Sequence, residues 1–366
     1  MRTWISFRKT VLLSGAAISC VFSHAGLVFA GLGAVTADFP FRSYELLADP
    51  IQPYVYASVP ALDAVEVINT KTLTAQEISL GATPQGIALS PDGQSLYVAE
   101  PGNSQIATIS TQSLDILRTI TTPSAPYEIA AGLDGRLIVL DAASPYTKIQ
   151  QINALTGATA GPDFPGYFFY YGNFQISPGL NTLYYGEHGL SPTTLFAYDV
   201  STTNVTLTQQ INTGSNGYNV VLSHNGKWVA QPNGAPYAVS LLQASNFETL
   251  GTFDTGPYPN NMAFSPDDKL AYVSHDGYPT AITVYNTSTF ASVGQFNVPD
   301  EINALTTDAT GQYLFASMSN VFSSQPETIV YETGYAVPEP QSLALLATSV
   351  LGVLIYIRRR KSVGRS

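Results

Sequence analysis

The sequence predicts an all-β protein, a seven-bladed β-propeller of four-stranded antiparallel blades. Three observations carry this. First, a turn-centred stretch returns at a period of about 40 residues, the mark of an array of small sheets. It is clearest as Gly86-Ile87-Ala88-Leu89-Ser90-Pro91-Asp92-Gly93 followed by Leu96-Tyr97-Val98-Ala99. It recurs at Ser177-Pro178-Gly179, Ser223-His224-Asn225-Gly226, Ser265-Pro266-Asp267-Asp268 and Asp308-Ala309-Thr310-Gly311, and more weakly at Gly132-Leu133-Asp134-Gly135. Second, the runs between turns are short, rich in Thr, Val, Ile, Tyr and Phe, and alternate with period two. Third, no long stretch of the body has helical periodicity.

Residues 1–30 read as a secretory signal peptide. Arg2, Arg8 and Lys9 precede an apolar run from Val11 to Val21, and Val28-Phe29-Ala30 offers a cleavage site. Ala17-Ile18-Ser19-Cys20 also resembles a lipoprotein signal, with Cys20 as the lipidated residue. Cleavage after Ala30 leaves a chain with no cysteine, held by its core rather than by disulfides.

One repeat shows the logic of the body, residues 31–335. Ile87–Leu89 is strand A. Ser90-Pro91-Asp92-Gly93 turns the chain, because Pro presets φ and Gly accepts positive φ. Leu96–Glu100 is strand B, Gln105–Ser110 strand C and Ile116–Ile120 strand D. Further B strands are expected at Tyr54–Ser58, Leu137–Asp141, Leu183–Glu187, Lys227–Gln231, Ala271–His275 and Leu314–Met318. Matching C strands are expected at Ala64–Asn69, Thr147–Ile152, Thr194–Asp199, Tyr237–Leu242, Ala281–Asn286 and Glu327–Glu332. Arg42–Ala48 aligns as the first strand A. The seventh copy has no strand D of its own. Val35–Phe39, upstream of the first strand A, is expected to fill that place and close the ring, since an open ring leaves a raw sheet edge.

The motif Gly-Ile-Ala-x-Ser-Pro-Asp-Gly-x-x-Leu-Tyr-Val-Ala resembles the YVTN and lactonase-like propellers of bacterial surface and periplasmic proteins. The resemblance covers about residues 42–332 and is strongest in blades two and six. It implies a seven-bladed fold and no particular activity, because one fold hosts many functions.

Residues 336–366 carry a second signal. Val337-Pro338-Glu339-Pro340 leads into an apolar run from Gln341 to Ile357, then Arg358-Arg359-Arg360-Lys361. The run is long enough for one C-terminal transmembrane helix, with the basic end on the cytoplasmic side. This order resembles the PEP-CTERM sorting signal of Gram-negative bacteria. That resemblance implies an exosortase-type membrane protease as partner, a place in the cell envelope, cell surface or extracellular matrix, and a link to exopolysaccharide and biofilm.

Residues 31–340 hold 7 Lys+Arg against 26 Asp+Glu, a net of −19. A surface this acidic repels phosphate backbones and argues against nucleic-acid binding.

Strand A should line the central channel, and its start shares one face of the wheel with the end of strand B. The first position reads Tyr44, Gly86, Glu128, Asn173, Asn219, Asn261 and Ala304. The second reads Ser58, Glu100, Asp141, Glu187, Gln231, His275 and Met318. The candidate ligand-binding rim is therefore Glu100, Glu128, Asp141, Asn173, Glu187, Asn219, Gln231 and Asn261. Such oxygen ligands suit a sugar or calcium. Glu128, Asn173, Asn219 and Asn261 are the candidate calcium ligands, similar to sites in gluconolactonases and paraoxonases; the same groups also serve as plain strand-end caps.

His188 and His275 fall on this rim and His224 on the opposite face. No metal-binding histidine spacing and no nucleophile elbow occurs. His275 is the one candidate base, by similarity to streptogramin-lyase-like propellers. Tyr167-Phe168-Phe169-Tyr170-Tyr171 lies at the same rim and serves either packing or stacking on sugars. Three functions follow as expectations: a non-enzymatic binding scaffold of the envelope, a cation-dependent lactonase-like hydrolase, or a purely structural surface protein.

Overall fold

The computed structural model describes residues 31–142, 146–169, 171–277, 279–319 and 327–334. Cys20, the apolar run before residue 30, Val337-Pro338-Glu339-Pro340 and Arg358-Arg359-Arg360 lie outside the described residues, as does the expected transmembrane helix. Among the described residues no helix is long and apolar enough to cross a membrane.

Seven antiparallel sheets follow one another around an axis. Blade one is Glu45–Ala48, Tyr54–Val59, Ala64–Asn69 and Thr74–Ser79, each strand paired with the next. Blade two is Ile87–Leu89, Ser95–Glu100, Gln105–Ser110 and Ile116–Thr121. Blade four is Asn173–Ile176, Thr182–Gly186, Thr193–Asp199 and the long Thr206–Gly217, which also pairs with Asn233–Ala235 from blade five. Blade five continues with Val221–Leu222, Trp228–Ala230, Ala238–Gln243 and Thr249–Asp254. Blade six is Pro259–Phe264, Leu270–His275, Ala281–Asn286 and Ser292–Asn297.

The ring closes as the sequence implied. Ile302–Thr307, Tyr313–Met318 and Thr328–Glu332 supply three strands of blade seven, and Val35–Phe39 is the fourth. Val35 stands opposite Tyr331 and Phe39 opposite Thr328. The Thr36 hydroxyl adds a bond to the Val330 carbonyl at 3.1 Å.

Blade three departs from the four-strand expectation. It has three strands, Pro126–Ala131, Arg136–Asp141 and Ile149–Asn153. Its outer edge is met by a bridge between Ile152 and Thr159 and by the N–H groups of Ala160 and Phe164, which donate to the Gln151 and Ile149 carbonyls at 2.7 and 2.9 Å. Thr147, read as part of strand C, pairs instead with Phe168 in a separate two-stranded ribbon, Tyr146–Thr147 with Phe168–Phe169. Gly157, Gly161, Pro162 and Pro165 break the segment where strand D would run. Side chains reinforce this irregular edge. Buried Arg136 donates to the Val200 carbonyl at 2.8 Å, the Thr202 carbonyl at 2.9 Å and Gln151 Oε1 at 2.6 Å. Gln151 Nε2 donates to the Pro162 carbonyl at 2.8 Å and the Thr203 carbonyl at 2.9 Å. These bonds tie blade three to the C–D turn of blade four.

The core is partitioned between blades. Each of seven apolar clusters sits in one of the seven interfaces; Tyr272, Ile282 and Val284 of blade six, for example, pack on Leu314, Ala316 and Tyr331 of blade seven. On the A–B turn face, Asp268 occupies a left-handed position (φ 59°) where other copies carry Gly93, Gly226 and Gly311. Its buried carboxylate reaches blade five and accepts from the backbone N–H of His224 at 2.7 Å and of Asn225 at 2.9 Å. His224 Nδ1 lies 3.1 Å from the same carboxylate, so this histidine belongs to the turn face, as its place in the repeat implied.

Ala37→Pro, which disrupts the closing strand, and Phe39→Ala, which empties a buried place in the interface between blades seven and one, should each cost about 1–4 kcal/mol. Urea denaturation checks this; unchanged midpoints in both variants would refute closure by Val35–Phe39.

Candidate functional site

Strand A runs from the upper rim, where it begins, down the channel wall to the A–B turns. A cavity of about 530 Å³ opens on that rim. It is lined by Arg42, Tyr44, Glu45, Tyr127, Glu128, Tyr171, Asn173, His188, Asn219 and Asn303, among others. A second space of about 440 Å³ continues down the channel past Asn261 and Ile176 to Pro91, Pro178 and His224.

Three of the four expected calcium ligands, Glu128, Asn173 and Asn219, line the upper cavity, while Asn261 lines the channel below. No group of three or more His, Cys, Asp or Glu side chains placed to hold a metal ion occurs among the described residues. Most rim groups bind the next blade. Glu45 Oε2 accepts the Ile87 N–H at 2.7 Å. Glu128 accepts the N–H of Phe174. Asn173 Oδ1 accepts the Val220 N–H at 2.8 Å. Asn261 Nδ2 donates to the Ile302 carbonyl at 2.8 Å, and Asn303 Nδ2 to the Ser43 carbonyl at 2.8 Å. Between blades two and three the contact is backbone to backbone, Gly86 N–H to the Tyr127 carbonyl at 3.0 Å. A Cβ on Gly86 would stand 2.9 Å from Glu128 Cα, so only glycine permits this approach. Asn219 has no hydrogen bond to another described residue, which leaves its amide open to the cavity.

The ends of the B strands lie one strand out from the cavity and brace their own loops. Glu100 is buried and accepts from Gln105 Nε2. Glu187 accepts the Thr194 N–H at 2.8 Å. Gln231 Nε2 donates to the Glu187 and Tyr218 carbonyls at 2.8 and 2.9 Å. The Asp141 backbone bonds Lys148 across its loop. His275 lies outside the lining; its Nε2 is 3.4 Å from the Thr283 hydroxyl, and burial lowers its pKa.

Sequence reading missed Glu45, Tyr127, Asn260 and Asn303. Along strand A it assigned one residue per blade to the rim. In blades three, six and seven a bulge opens strand A, between Pro126 and Glu128, Pro259 and Asn261, and Ile302 and Ala304. Two successive residues then face one partner, so both can address the mouth. In blade one it is Glu45, next to the assigned Tyr44, that bridges to blade two. Tyr171 and His188, which the sequence set at this rim, come from loops and do line the cavity. The order acid or amide directly after Tyr or Asn, as in Tyr44-Glu45, Tyr127-Glu128 and Asn260-Asn261, was the available signal.

Aromatic rings form a continuous file. Tyr44 meets Tyr127 at 5.6 Å, Tyr127 meets Tyr171 at 6.2 Å, Tyr171 meets Phe169 at 5.7 Å and Phe169 meets Tyr146 at 6.1 Å. All four contacts are edge-to-face, the geometry the ring quadrupole favours. The file runs from exposed Tyr146 to the cavity wall.

Electrostatically the cavity is a carboxyl pair in poor solvent. Burial pushes Glu45 up to about 8, partly opposed by the Ile87 N–H. Burial, then the charge of Glu45, holds Glu128 well above the usual carboxylate range. Burial and the neighbouring Glu128 charge likewise raise Tyr44. Burial lowers the His188 pKa, partly opposed by its bond to the Tyr171 carbonyl. Farther round the rim, burial and then the charge of Glu301 push Asp276 up to about 7, against the pull of the Asn260 amide.

The fold and the mouth define a seven-bladed propeller with a polar, aromatic-lined cavity at one end of its channel. Among solved structures the chain is similar to the hydrazine synthase of Kuenenia stuttgartiensis, at 17% identity and a TM-score of 0.63, covering 82% of this chain and 97% of that one. It is also similar to a chain of the mitotic checkpoint complex, at 13% identity and a TM-score of 0.66, covering 90% and 98%. Likeness at these identities shows the fold alone. No protein-family model matches the chain, and no curated protein matches it in sequence.

Carboxyls whose folded pKa is raised bind more protons folded than unfolded, so stability falls as pH rises from about 4 toward 8. The thermal midpoint should therefore be higher at about pH 5 than at about pH 8, and Glu45→Gln should flatten that slope. A slope unchanged in the variant would count against the buried pair.

Proposed function

We propose that this chain is an exported cell-envelope or matrix propeller that binds a glycan on the face where the cavity opens. The observation that carries the reading is the ring file from Tyr146 to Tyr44, which ends at a cavity of about 530 Å³. Aromatic faces stack on the apolar faces of sugars, and the Asn219 amide offers a donor and an acceptor for hydroxyls. A second observation agrees. Among the described residues the five exposed tyrosines all stand at this face, Tyr146 in its short ribbon and Tyr167, Tyr171, Tyr237 and Tyr258 in loops. Export, sorting by an exosortase-type protease and a link to exopolysaccharide are supported by the signal-like start, the YVTN-like repeats and the PEP-CTERM-like tail.

Glycan-array binding by the purified protein tests this. Tyr171→Ala should weaken the bound glycan about tenfold, a loss of about 1.4 kcal/mol. A wild-type protein that binds no glycan would favour a purely structural role.

A second reading, a cation-dependent lactonase-like hydrolase, is favoured by one observation. Glu45, Glu128, Asn173 and Asn219 present oxygens to one cavity. Calcium is then the cofactor, and lactone hydrolysis should fall on adding a chelator and in Asn219→Ala. No turnover by the wild type would remove this reading.

A further inference from the structure

We propose that the upper cavity recognises an ammonium group, so that the glycan it takes is one with free amino groups, a de-N-acetylated hexosamine chain. This rests on the glycan reading above and narrows it. Glu45 and Glu128 face one cavity from blades one and three, flanking the glycine gap at Gly86. Tyr44, Tyr127 and Tyr171 stand beside them. Carboxylates next to phenol rings are the chemistry that holds an organic cation: the acids supply charge and acceptors, the rings their negative faces. Arg42 is the single Lys or Arg on the lining, and it is exposed.

Two competing occupants fit less well. A calcium ion takes 6 to 8 oxygens in one shell, roughly. Here the Asn173 and Asn261 amides are committed to Val220 and Ile302, and each glutamate already accepts a backbone N–H. The cavity, at about 530 Å³, has the size of a small-molecule site rather than an ion cage. An anionic glycan would meet Glu45 and Glu128 at the bottom and Asp276 and Glu301 on the rim. A neutral sugar satisfies the rings but brings no donor cation to the two acids. An amino sugar satisfies both, its ring on the tyrosine file and its ammonium between the acids. No bond is made or broken.

The test compares two probes on the purified full chain by calorimetry at about pH 6. One is the tetrasaccharide of β-1,4-linked glucosamine, the other its fully N-acetylated counterpart. The amino form should bind about tenfold tighter. Glu128→Gln should abolish that preference, bringing the two probes within about twofold of each other. Glu45→Gln, which keeps an acceptor for Ile87, serves if Glu128→Gln does not fold. Equal binding of both probes would overturn the ammonium site while leaving the glycan reading standing. Binding of neither would overturn both. Displacement of the amino probe by calcium would assign the carboxyls to a metal and overturn the proposal.

Discussion

A blade of this protein has two apolar faces and no side made for water. Tyr272 and Val284 of blade six, Leu314 and Tyr331 of blade seven, or Leu96 and Ile109 of blade two are all buried against a neighbour. Burying one such side chain contributes about 1.5–3 kcal/mol, and every interface supplies a cluster of them. No blade can hold that burial alone. The ring is therefore the smallest unit in which each sheet is covered twice, and polar contacts at the rims set how neighbouring sheets register.

The same constraint explains the fate of the rim polar groups. Amides and acids at the starts of the inner strands stand where one sheet's unpaired backbone meets the next. Asn173 on Val220, Asn261 on Ile302 and Asn303 on Ser43 answer backbone groups that would otherwise lie unmatched in a low-dielectric seam. Ring assembly thus uses most of the mouth's hydrogen-bonding capacity. Asn219, the carboxyl pair and the tyrosine file are left facing the cavity. Charge held so close to apolar packing is costly, which is why burial raises both carboxyls above the usual range.

Much of the architecture was legible in the chain. Ser90-Pro91-Asp92-Gly93 and its copies state their turn chemistry openly, and Val35–Phe39 was readable as the closing strand because blade seven ran out of chain. Blade three was not, since the loss of its outer strand depends on Gly157, Gly161 and Pro162 acting together with Arg136 and Gln151 across a gap of about fifty residues. At the mouth, alignment found Glu128, Asn173 and Asn219. It lost Tyr127 and Asn303, because a bulge changes which residues point inward without changing the local pattern. Tyr171 and His188 were set at the rim by their neighbours in the repeat, but their part in the lining was not legible there. Periodicity reports the frame; irregularities of the frame, where ligand chemistry collects, are three-dimensional events.

Closure by Val35–Phe39 also has a consequence in time. The segment that emerges first among the strands finds its partner only when Thr328–Glu332 appears, nearly three hundred residues later. Until then two lone edges exist, one at each end of a growing row of blades. Local hairpins can form early, but the last contact carries the full entropy of joining distant chain. Protection from edge-to-edge association thus arrives in a single late step. For a chain that crosses a membrane before it folds, such a late step would keep the row open until the whole body was across.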